Sequence, residues 1–159
     1  MTHSETPSTT RVIASPPVIY GAALAAGWLL HKLKPIPILR NRSAVNWTVG
    51  TALVTAGIGI SAAVVSVFSR SGTPVSPLRA TNCLIVSGPY RVSRNPDYIG
   101  QLLAYTGTSI VANAWWPLFM LPVVLVGIDR GVVQREERYL EKMFGQAYRD
   151  YTATVRRWI

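Results

Sequence analysis

Cysteine, histidine and acidic side chains are all scarce in this sequence. Cys83 is the single cysteine, so no internal disulfide can form and a cysteine-based metal site has no ligands. His3 and His31 lie far apart, and neither a His-x-Glu nor a His-Glu-x-x-His spacing occurs. A zinc enzyme, and a metal site of any kind, therefore has no support. Only 14% of the residues are charged, against about 25% in a typical soluble domain. A water-facing surface cannot be covered with so few charges. The 49% hydrophobic content and mean hydropathy of +0.25 exclude disorder as well. Seven acidic residues stand against 16 basic ones, for a net charge of +9. Such an excess could suit nucleic acid, but the lysines and arginines flank apolar blocks instead of forming one polar face, so no nucleic-acid partner is expected.

What the chain does have is long apolar blocks. Its 159 residues suffice for one domain. Residues 1–15 are polar, rich in Ser and Thr, and expected to be mobile; they lack the basic n-region of a signal peptide, and no small-residue cleavage site follows the first apolar block. Residues 16–159 read as a single integral membrane domain. Its first block runs from Val18 to Leu33, with Pro17 suited to open a helix and Lys32 and Lys34 able to snorkel. A second runs from Ala44 to Phe68 without a charge, and its Thr51, Thr55, Gly57, Gly59, Ser61 and Ala62 are small enough for close helix contact in lipid. The third region, Tyr98 to Val133, is too long for one span. Split at Asn113, its arms have about 17 and 20 residues, or roughly 25 and 30 Å. The expectation is an all-α membrane protein of about four transmembrane helices, the last two a tight hairpin.

Four spans place both termini on one side. Twelve of the 16 lysines and arginines lie in the N-terminal tail, the 69–97 loop and the segment from Asp129 onward, and four in the first loop. The positive-inside rule puts the larger group in the cytoplasm. After the last span, Leu140, Phe144, Tyr148, Tyr151, Val155 and Trp158 recur at helical steps. This predicts a cytoplasmic amphipathic helical segment, with Gly145 dividing it into two short helices. A helix of that kind also lies on anionic lipid, whatever its further role.

Two clusters could carry chemistry. In the 69–97 loop, Asn95 is a preferred N-cap and Pro96 suits the first helical position, so the third helix should start here. Its free N–H groups, with Arg91 and Arg94 alongside, could bind a carboxylate or phosphate; a capped helix start with two positive-inside arginines is the plainer alternative. The second cluster holds Glu136 and Glu137. Adjacent carboxylates point about 100° apart on a helix, so one should face inward while the other is solvated or pairs with an arginine. Glu137 is the expected inward one, because Phe144 lies seven positions on. Together the clusters would suit a zwitterion, such as S-adenosylmethionine.

The run Gly-Pro-Tyr-Arg-x-x-Arg-Asn-Pro-x-Tyr-x-Gly (88–100), an apolar hairpin, and then Glu-Glu-x-x-Leu-x-x-x-Phe-Gly-x-x-Tyr-x-x-Tyr (136–151) resemble the isoprenylcysteine carboxyl methyltransferase and phospholipid methyltransferase superfamily. The resemblance covers about 72–158. It implies an integral membrane enzyme that uses S-adenosyl-L-methionine, with a cofactor pocket formed by the loop, the hairpin base and the C-terminal helix. Carried over residue by residue, it implies cofactor binding by Tyr90, Arg94, Asn95, Pro96, Tyr98, Gly100, Glu136 and Glu137, with Arg94 and Glu137 as the catalytic pair. The best-studied members have His where this chain has Asn95. Asn cannot be protonated near neutral pH, so it is no acid or base, although it can still bind the cofactor. With no obvious base beyond the glutamates, an anionic or polarised lipophilic acceptor is favoured over an amine. A nicotinamide-dependent membrane reductase and a non-catalytic lipid-binding scaffold remain open alternatives.

Overall fold

A computed structural model describes residues 15–40, 43–71 and 83–159. Of these, 79% are helical, and none is in a strand. Helix α1 (Pro16–Leu33) opens on two prolines, which lose nothing there because the first N–H groups of a helix have no partner. Helix α2 (Ala44–Arg70) follows. A 3-10 turn at Gly88–Arg91 leads to α3 (Pro96–Val111), which begins on Pro96 as expected. Asn113 takes a positive φ of 55° and breaks the third apolar region where the sequence suggests. Helix α4 (Trp115–Ile128) then runs through a π turn at Asp129–Val133 into α5 (Gln134–Phe144). Gly145, at φ 52°, ends α5, and α6 (Gln146–Thr154) completes the anticipated pair of short helices. Apart from Ser15, the tail expected over residues 1–15 lies outside the described residues.

Helices α2 and α3 pack antiparallel along a ladder of glycines. A Cβ at Gly100 would stand 2.8 Å from the Gly57 carbonyl oxygen, and one at Gly50 would stand 2.8 Å from that of Gly107. The glycines are seven positions apart on each helix, close to two full turns, so both pairs fall on one seam. Of the small residues flagged on α2, Gly57 and Ser61 face α3. Thr51, Thr55 and Ala62 are exposed, and Gly59 has no neighbour to meet. Helix α4 packs chiefly on α1, with Gly27 giving way to the Pro117 backbone. Although consecutive, α3 and α4 thus each make their most extensive contact with an earlier helix. The reason is that the glycine face of α3 can be filled only by a partner at very short range. A core of Tyr20, Tyr98, Tyr105, Val124, Ile128, Val132 and Val133 joins α1, α3, α4 and the π turn.

At the Asn113 end, polar groups latch the bundle. The Asn113 side chain accepts from Leu39 N–H at 2.9 Å and donates to the Leu39 carbonyl at 2.9 Å, while Asn46 donates to it at 3.1 Å. Trp116 donates to the Lys34 carbonyl at 2.7 Å.

Among the described residues, two helices are long and apolar enough to cross a membrane: α2 and the continuous Trp115–Phe144. Only 11% and 28% of their most apolar stretches are buried. Val45, Trp47, Val49, Ile58 and Val65 on α2, and Phe119, Val123 and Val126 on α4, point outward. A core helix of a soluble protein would show the reverse, and so broad an exposed apolar surface fits lipid.

Candidate active site

The site forms where the segment before α3 meets the end of the chain. Pro96 is buried at the first position of α3. Asn95 precedes it, but its side chain makes no capping bond to the helix, contrary to expectation. Its amide instead donates to the Arg157 carbonyl at 2.9 Å, because the C-terminal segment passes beside the loop and offers an acceptor. Ser93 Oγ donates to the same carbonyl at 3.2 Å, the Arg94 N–H donates to Arg156 at 3.0 Å, and the Tyr151 hydroxyl donates to the Tyr90 carbonyl at 2.8 Å. Residues 90–95 are thereby strapped to residues 151–157.

Helix α5 presents the two glutamates to this strap in different directions. Glu137 meets Arg94 at 3.0 Å and is gripped in a fork by Arg157, at 2.6 Å and 3.1 Å. Arg157 also reaches Asp129 at 3.5 Å. The Arg94 and Glu137 side chains are each 16% exposed, and Arg157 is 37% exposed. Glu136, expected from the sequence to face outward, instead turns inward and accepts a hydrogen bond from the Tyr98 hydroxyl at 2.8 Å. Neither carboxylate is left to solvent: one takes cations of the strap and the other a phenol of α3. Asp97, at the start of α3, accepts from Ser61 and Gln101, each at 2.7 Å.

A pocket of about 340 Å³ opens beside Glu137. Its walls are Arg94, Gln134, Glu137, Arg138, Glu141, Tyr148, Arg149, Thr152 and Arg157. Burial raises the phenol of Tyr148 above its ordinary value, with Glu137 adding to the effect, and pushes that of Tyr151 up to about 12. Burial also raises Tyr90. The hydrogen bond to Glu137 raises Arg157 further. All of these groups hold their neutral-pH charge state firmly. Among the described residues, no three metal-ligating side chains cluster.

Of the eight residues singled out in the sequence, Arg94 and Glu137 line the pocket wall. Tyr90 and Asn95 bind the strap, and Tyr98 and Glu136 pair on the inner side of α5. Pro96 starts α3, and Gly100 sits in the glycine ladder. Arg157 and Asp129 were not singled out. A lone arginine in a basic tail looks like any positive-inside residue, and only the path of the chain brings it to Glu137.

The model of the family described as phospholipid methyltransferase matches residues 45–147, from α2 into α6. The chain belongs to the phospholipid methyltransferase family. It is accordingly a membrane protein of a methyltransferase family, and family members generally use S-adenosylmethionine. No curated protein and no solved structure matches the chain. In this family member, the pocket residues suit a zwitterionic cofactor: guanidinium and carboxylate groups stand side by side, and Arg94 Nε is buried without a hydrogen-bond partner among the described residues. An unsatisfied buried donor of this kind is costly unless an acceptor arrives.

Proposed function

We propose that this protein transfers a methyl group from S-adenosyl-L-methionine to a lipophilic acceptor at the cytoplasmic face of a membrane. The observation that carries the reading is the Arg94–Glu137–Arg157 group on the wall of a polar pocket, at one end of a bundle with apolar outer faces. When bound, S-adenosylmethionine supplies an electrophilic methyl on a sulfonium that leaves as a neutral thioether. The protein's part is to orient the two reactants in line and keep water out. Arg94 and Glu137 hold the charged amino-acid end of the cofactor, and the strap of Ser93, Asn95, Tyr151 and Arg157 fixes the pocket wall. Tyr98 and Glu136 set the rotation of α5 against α3.

In this reading α1 and α3 also cross the bilayer. At about 1.5 Å per residue they are roughly 27 and 24 Å long, close to the hydrocarbon thickness. Four spans, with α3 and α4 as a hairpin, then leave both termini cytoplasmic. The acceptor, a lipid, a prenylcysteine-like carboxylate or another membrane-soluble molecule, enters laterally between helices, and the cofactor enters from water.

The test is titration of the purified protein with S-adenosylhomocysteine and NADPH, followed by transfer of labelled methyl groups into a membrane lipid extract. Binding of the first ligand and a labelled lipid-phase product are expected. Binding of NADPH alone would replace the reading with a reductase, and binding of neither with a scaffold.

A further inference from the structure

Resting on that reading, we infer that Arg157 is a cofactor-binding residue: its guanidinium leaves Glu137 to take the ligand carboxylate, and the freed Glu137 takes the ligand ammonium. Four charged groups form the resting cluster, Arg94, Arg157, Glu137 and Asp129, so their charges cancel. A zwitterion inserted among them leaves that balance unchanged, with each ligand charge meeting a group of opposite sign. No net charge is buried, which is the condition under which ion pairs in a low-dielectric site remain affordable.

The two arginines on Glu137 are not equivalent. Both arginines line the pocket, but Arg94 is 16% exposed and lies two residues before the buried Pro96 that starts α3, whereas the Arg157 side chain is 37% exposed. Arg157 is also held by its backbone independently of its side chain. Ser93 and Asn95 both donate to its carbonyl, and the preceding Arg156 carbonyl accepts from Arg94. The guanidinium can therefore swing while the main chain stays in place. Asp129, at 3.5 Å, keeps one face of the guanidinium neutralised during the exchange. A planar guanidinium that already makes a two-point fork on one carboxylate has the geometry to make the same fork on another. The exposed Arg149 meets Glu141, itself exposed, at 3.7 Å, a longer and more solvated pair.

Calorimetric titration of the purified full-length chain with S-adenosylhomocysteine and with its decarboxylated analogue, which keeps the ammonium, separates the possibilities. For Arg157→Gln the affinity for S-adenosylhomocysteine should fall about ten- to hundredfold, as for loss of a charge-assisted contact. Affinity for the decarboxylated analogue should change less than about threefold on the same scale. Arg157→Lys should recover part of the loss. Unchanged affinity for S-adenosylhomocysteine overturns the inference. So does an equal loss for both ligands, which would assign Arg157 to holding the strap alone. If the unsubstituted protein binds neither ligand, the cofactor reading itself fails, before any substitution is made.

Discussion

Replacing Glu137 by Gln should destabilise the folded protein more than replacing its neighbour Glu136. Glu137→Gln keeps the shape of the side chain and removes the charge shared by two guanidinium groups. The arm to Arg94 is the stronger one, since both side chains are 16% exposed and 3.0 Å apart; a charge-assisted contact so placed contributes about 1.5–2 kcal/mol. The arm to Arg157 is shorter, but its guanidinium is 37% exposed, so solvent screening limits it to about 1 kcal/mol. The sum is about 2.5–3 kcal/mol. At roughly 2–4 °C per kcal/mol for a chain of this size, the midpoint should fall by about 5–12 °C. Glu136→Gln retains an oxygen to accept from Tyr98, so its loss should stay near 1 kcal/mol. Thermal unfolding of both variants in one detergent measures the difference, and added salt should narrow it by screening the Arg157 arm. Equal midpoints, or a larger drop for Glu136→Gln, would refute the assignment of Glu137 as the shared anion.

The glycine ladder, the membrane orientation and the tyrosines of the strap can be tested separately. Gly57→Ala would put a Cβ 2.8 Å from the Ala104 nitrogen and should destabilise by about 1–3 kcal/mol through forced helix separation, while Gly59→Ala, which meets nothing within 4 Å, should be neutral in the same unfolding assay. Single cysteines at Ser71 and Thr154, in a Cys83→Ser background, should resist impermeant thiol reagents in intact cells; labelling without lysis would reverse the orientation. Because the Tyr151 phenol is raised to about 12 from an unfolded value of 10.0, its contribution to stability is complete below pH 10 and is lost as the pH climbs toward 12. Tyr151→Phe should flatten that alkaline decline, measured as unfolding midpoint against pH.

The helix boundaries were legible because prolines and one asparagine mark them. Pro17, Pro96 and Asn113 each stand where local backbone sterics dictate, independently of the rest of the fold, although α1 starts one residue earlier than expected, at Pro16. Gly145 divides the amphipathic segment for the same local reason. The helix seam was only partly legible: small residues surround α2 on several sides, and the face that becomes a contact depends on where α3 lies. At the site, the motifs single out Arg94 and Glu137 separately, and their ion pair depends on the fold that brings α5 beside the segment before α3. Asn95 departs from expectation because a cap is a local preference, and a carbonyl from 62 positions away displaced it. The inward turn of Glu136 toward Tyr98 likewise depends on the packing of α5 against α3.

The π turn at Asp129–Val133 sets the angular phase between the end of α4 and α5. Asp129 and Glu137 are eight positions apart, which in an unbroken α-helix would turn them about 800°, leaving them about 80° out of line. A turn that closes over five residues instead of four absorbs one position. The remaining seven steps amount to about 700°, within about 20° of a common face. One guanidinium can then touch both carboxylates, as Arg157 does, and Gln134 reaches Asp129 across five positions at 2.8 Å. The wide turn works as a vernier on the rod: a further alanine inserted after Gly131 would swing Glu137 about 100° away from both arginines, with every side chain of the site still present.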